Sequence, residues 1–85
     1  MSKNLLNRIV IDKDICHGKP HVKGTRIMVE QVLNLLSQGA TPEEIISEDF
    51  PDLNKEDILA CIAFANQLVR DEEIRFFDVS PEELV

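Results

Sequence analysis

Residues 14–26, Asp14-Ile15-Cys16-His17-Gly18-Lys19-Pro20-His21-Val22-Lys23-Gly24-Thr25-Arg26, hold both histidines, one of the two cysteines and two of the three glycines of the chain. A thiol beside imidazoles suggests two chemistries: metal ligation and an activated nucleophile. The spacing serves neither. His17 and His21 are four residues apart, which converges on one ion only on a helix, and Gly18 and Pro20 oppose helix there. A structural zinc site takes four ligands, and Cys61, the other soft donor, falls on the apolar face of an expected helix. Cys16 and His17, adjacent on an extended chain, point to opposite sides. Gly18-Lys19 lacks the preceding glycine and following Ser/Thr of a phosphate-binding loop. No paired-carboxylate pocket or oxyanion hole can be identified. The expectation is therefore no enzyme, no cofactor and no metal, with His17 and His21 as surface imidazoles on a shaped loop. A metal-binding or catalytic protein is the least favoured reading.

The elements around this run follow from short-range rules. Arg8-Ile9-Val10-Ile11-Asp12 is short and β-branched, and predicts a strand. His21–Arg26 is its expected partner, with Gly18, Lys19 and Pro20 forming the turn and Gly24 a bulge or bend. A first helix is expected over Met28–Gln38, because Val29, Val32, Leu33 and Leu36 share one face and Gly39 suits its end. Thr41 should cap a second, short helix, with Pro42 at its first position and Glu44 closing a capping box. Pro51 should end it at Phe50. Asn54 should cap a third helix running to about Arg70, with Ile58, Cys61, Ile62, Ala65 and Leu68 or Val69 inward. The fold class expected is mainly α: a tri-helical helix-turn-helix bundle preceded by a short β-hairpin.

Eighty-five residues make one small domain, and a core of that size commonly needs help from a metal, disulfides or a second subunit. Two cysteines forty-five positions apart make no disulfide framework. The chain shows no apolar run near membrane-spanning length and no secretory leader, so a reducing, cytoplasmic setting without a membrane partner is expected.

The run Ile15 to Ile27 resembles the signature C-x-G-K-P-x-[IV]-x-G-T-R-[IV] of the family catalogued as domain of unknown function 433. The resemblance continues through Gly39–Ile46, Phe50–Leu53 and Asp57–Ala65, covering roughly residues 8 to 66. Many members carry proline after the Arg-Ile pair, where this chain has Met28. The resemblance implies a homeodomain-like fold and an antitoxin of VapB type, binding operator DNA with one part and a PIN-like ribonuclease toxin with another.

Charge fits two partners. Residues 1–26 carry six Lys/Arg against two acids, and residues 27–85 carry three against fourteen, for a net −7 overall. The expected third helix offers Lys55, Glu56 and Asp57 in its first turn, a poor match to phosphate. Lys19, Lys23, Thr25 and Arg26, with Lys55, are therefore the candidate DNA contacts. Thr25 could cap the first helix while Arg26 reaches a phosphate or a carboxylate; the alternative is that Gly24 makes the bend and Arg26 pairs with Asp12 or Glu30. In the acidic segment 71–85, Ile74, Phe76, Phe77, Val79 and Leu84 are the candidate grip on a toxin, with the aromatics as anchors; the alternative is that Phe76 and Phe77 pack on the chain's own helices or on a twin subunit. The chain thus divides into a basic hairpin segment (1–26), a three-helix core (27–70) and an acidic, apolar tail (71–85). A dimeric antitoxin-like regulator is expected; the rival is a protein–protein adaptor that never touches DNA.

Overall fold

The computed structural model describes residues 2–71. A 3-10 helix, Ser2–Arg8, leads into β1 (Ile9–Val10), which pairs antiparallel with β2 (His21–Val22). Three helices follow: α1 (Val29–Ser37), α2 (Pro42–Glu44) and α3 (Lys55–Asp71). The fold is mostly helical, with a two-stranded hairpin near its N-terminus, as the residue pattern predicts. Among the described residues no helix is long and apolar enough to cross a membrane.

Each helix end has a local cause. At the start of α1, the Met28 backbone N–H donates to Gln31 Oε1 at 2.8 Å. At its end, Gly39 (φ 101°) turns the chain left-handed, and the Gly39 and Ala40 N–H groups donate to the carbonyls of Leu36 and Leu35. That pair of bonds satisfies the last orphan carbonyls of the helix. Thr41 and Glu44 form the expected capping box: Thr41 Oγ1 accepts from the Glu44 N–H at 3.1 Å, and Glu44 Oε1 from the Thr41 N–H at 2.9 Å. α2 then widens into a π-helical turn, Ile45–Asp49, closed by the Phe50 N–H on the Ile45 carbonyl. Phe50 leaves helical geometry (φ −134°, ψ 76°) directly before Pro51.

At α3 the cap is reciprocal. Asn54 Oδ1 accepts from the Asp57 N–H at 2.9 Å, and Asp57 Oδ2 accepts from the Asn54 N–H at 3.0 Å. Val22, Val29, Val32, Ile45, Leu53, Ile58 and Cys61 form the core, with Ile9 and Ile27 packed against it from the hairpin side. Fully burying each of the larger ones contributes about 1.5–3 kcal/mol. The expected inward stripe of α3 holds at Ile58 and Cys61, is half-buried at Ala65, and fails at Ile62, Leu68 and Val69, which are exposed. The described part of the chain ends its cover of α3 near Phe64, which still packs on the core.

Candidate functional site

β2 is bonded on both sides. Ile9 pairs with Val22 and Val10 with His21 on one side; a bridge joins His21 to Met28 on the other. The Val22 N–H donates to the Ile27 carbonyl, and the Val29 N–H to the Pro20 carbonyl. Residues 23–26 are therefore the tip of a second, tight hairpin, anchored to the helical core through Val29. Gly24 (φ 82°) makes the bend, a geometry that favours glycine. Thr25 completes it: its hydroxyl donates to the Val22 carbonyl at 2.8 Å and accepts from the Ile27 N–H at 3.0 Å. Thr25 thus shapes the turn and does not cap α1.

Strand alternation separates two faces. Ile9 and Val22 pack into the core; their neighbours Val10 and His21 take the opposite face. A loop, 11–20, folds over that face. It contains a turn closed by the Ile15 N–H on the Asp12 carbonyl, then three residues with positive φ: Cys16 (55°), His17 (58°) and Gly18 (77°). Left-handed geometry at a non-glycine residue costs about 1–2 kcal/mol. Cys16 Sγ donates to the Arg26 carbonyl at 3.3 Å, which fastens this turn to the hairpin tip.

His21 is 1 % exposed. The expectation of surface imidazoles therefore holds for exposed His17 and fails for His21. Its Nδ1 lies 3.1 Å from the Lys19 carbonyl oxygen. A carbonyl only accepts, so Nδ1 donates. The strand pattern carried a signal for this: with Val22 inward, His21 had to lie under whatever covered the other face.

Between the covering loop and the tip lies a groove of about 670 Å³. Val10, Ile11 and Ile15 give it apolar walls, His21 lines it between them, and Lys23, Arg26 and Asp12 stand around it with Gly24 and Thr25. Lys23 and Arg26 are exposed and, among the described residues, form no ion pair. The alternative of an internal pair for Arg26 is not realised there: Glu30 holds Lys19 at 3.2 Å. Lys55 lies apart, 3.9 Å from Glu43 at the start of α3. The five candidate phosphate contacts thus separate into two available cations, one structural hydroxyl and two lysines in exposed ion pairs. Such exposed pairs are weak, so Lys19 and Lys55 are loosely held.

A third ion pair fixes the hairpin to the helices. Arg8 Nη1 donates to Asp57 Oδ1 at 3.1 Å. The Arg8 carbonyl accepts from the Lys23 N–H at 2.7 Å, so the same residue also holds the hairpin tip. Cys61, one turn along α3, is sealed in the core. Burial, and secondarily the charge of Asp57, push its thiol up to about 12, so it is not a nucleophile at neutral pH.

A second cleft, about 160 Å³ and almost wholly apolar, lies between α1 and the distal part of α3, against Leu33, Phe64 and Leu68. Ile74, Phe76, Phe77, Val79 and Leu84 lie outside the described residues.

A family model described as protein of unknown function DUF433 matches residues 9–65, which take in the hairpin, the covering loop, the tip and most of α3. The chain belongs to that family. No curated protein and no solved structure was found to match it.

Proposed function

We propose that this member of the DUF433 family is an antitoxin-like regulator that grips the phosphate backbone of its operator DNA with the hairpin tip, Lys23 to Arg26. One observation carries the reading: Lys23 and Arg26 are exposed, unpaired among the described residues, and held on a tip whose backbone is fixed by Gly24, Thr25 and Cys16. Cations presented on a rigid turn lose little freedom on meeting phosphate. In this reading the succession of α2 and α3 is the homeodomain-like helix-turn-helix, used as a scaffold. Its expected reading helix begins with Lys55 facing Glu43 and with Asp57 engaged by Arg8, which leaves an acidic first turn. The chain acts as a homodimer, doubling the number of tips, and the acidic segment 71–85 holds a PIN-like ribonuclease toxin. The test is binding of the protein to its own promoter duplex, with Lys23 and Arg26 replaced singly by alanine. Loss of affinity for both variants supports the tip as the contact; undiminished affinity for both removes it.

A second reading is the protein–protein adaptor without DNA. It is favoured by the exposed apolar residues Ile62, Leu68 and Val69 on α3 and by the apolar cleft beside Leu33. An interaction surface of that kind serves an adaptor as well as a dimer.

A further inference from the structure

The apolar cleft between α1 and the distal part of α3 is shaped for a ring. Leu33, Phe64 and Leu68 line it, with Pro20 and Glu30 beside them. Its volume is about 160 Å³, and an apolar cavity of roughly 150 Å³ takes one benzene ring. Leu33 and Phe64 are half-buried, while Leu68 keeps 49 % of its surface exposed. An aromatic side chain laid between them would bury apolar surface on every side.

Charge frames the cleft. Glu30 lines it, and Lys19, adjoining Pro20, reaches Glu30 at 3.2 Å. Both side chains are more than half exposed, so the pair is loosely held and each member can take another partner.

The chain supplies an occupant. Residues 72–85 lie outside the described residues and follow directly on Asp71, where α3 ends. Within them Phe76-Phe77 is flanked by Arg75 and Asp78. An aromatic pair between a base and an acid thus matches a cleft bordered by an acid and a base. Reach is sufficient. Leu68 and Phe64 stand three and seven residues before Asp71, about 4.5 and 10.5 Å back along the helix. The five residues from Asp71 to Phe76 span up to roughly 17 Å. A tether that short holds the ring at an effective concentration on the order of millimolar. That favours the chain's own segment over a second copy or a foreign partner present at micromolar levels.

We propose that the chain's own segment 74–79 docks back on this cleft. The ring of Phe76 or Phe77 lies between Leu33, Phe64 and Leu68, with Asp78 toward Lys19 and Arg75 toward Glu30. Docking hides the aromatics that the toxin reading gives to the partner, so a toxin has to displace them from the cleft. That consequence rests on the toxin reading; the docking does not.

The test is NMR of the full-length protein with ¹³C-labelled leucine methyls. The expected result is nuclear Overhauser contacts from the Leu33 and Leu68 methyls to a ring of Phe76 or Phe77. A mixed sample, with labelled leucines in one copy and labelled phenylalanines in another, should show none of them. Replacing Phe76 and Phe77 together by alanine should lower the docked population at least about tenfold. Lys19→Glu sets like charges together and should lower it about two- to fivefold; Asp78→Lys in the same chain should restore it. Absence of the contacts in the unaltered protein overturns the proposal. So does their presence in the mixed sample, which would place a second copy's segment in the cleft. A docked population undiminished in Lys19→Glu overturns it too. Toxin neutralisation measured on the same samples keeps the two readings apart: docking contacts in a protein that neutralises no toxin sink only the toxin reading.

Discussion

Arg8 and Asp57, forty-nine residues apart, meet at 3.1 Å and join the hairpin to the first turn of α3. Asp57 is 8 % exposed and also caps its own helix through the Asn54 N–H. One carboxylate therefore serves both a helix end and a tertiary contact.

The two partners should differ in cost. Arg8 is partly exposed, and Asp57 keeps its Asn54 bonds without it, so Arg8→Ala should destabilise by about 1 kcal/mol. Asp57→Ala loses the carboxylate half of the reciprocal cap, keeps the bond from the residue-57 N–H to Asn54 Oδ1, and leaves Arg8 unpaired, and should cost roughly 2 kcal/mol. Urea unfolding of both variants checks the order; equal losses would mean that the carboxylate half of the cap contributes nothing.

The covering loop stores strain that can be relieved. His17 is exposed at φ 58°, so His17→Gly should stabilise by about 0.5–1 kcal/mol. Gly24→Ala tests the opposite case. A Cβ there meets nothing within 4 Å, so its cost comes from φ 82° alone; about 1 kcal/mol is expected. Thermal melts of the pair should move in opposite directions.

Alkali should unfold the protein through Cys61. Its thiol is held protonated to about 12 in the fold, against an ordinary value of 9.0. Between those values the unfolded chain binds fewer protons than the folded one, so stability is complete below about 9 and falls as pH rises toward 12. The slope is at most about 1.4 kcal/mol per pH unit. Cys61→Ala creates a cavity and lowers stability at pH 7, but its stability should lack this component of the alkaline decline. A parallel decline in the variant would assign it to other groups.

The tail carries its own prediction. Deleting residues 74–85 should abolish toxin neutralisation and leave the unfolding transition of the domain in place. Full neutralisation by the shortened chain would return the toxin grip to the helical core.

What was legible in the sequence was local. Thr41, Pro42 and Glu44 announce a helix start by chemistry contained in four residues, and Gly39 and Asn54 mark an end and a start for similar reasons. Positive φ at Cys16 and His17 was hidden, because neither residue type signals it and tertiary contacts hold it there. The Arg8–Asp57 pair was hidden by separation along the chain. Periodicity put Ile62, Leu68 and Val69 near the inward face of α3, but it does not report how far the cover extends. At the candidate site, the unpaired state of Lys23 and Arg26 could not be known until Glu30 was seen to hold Lys19. The groove was also invisible, since it is made by a loop folding over the outer face of a two-residue strand.

The most direct test of the central claim is the salt dependence of promoter binding for the unaltered protein and for Lys23→Ala and Arg26→Ala. Each phosphate contact contributes about −0.9 to the slope of log K against log salt. The account predicts weaker binding for each variant and a slope shallower by about one unit per cation removed. Binding with unchanged slope and affinity in both variants would contradict it.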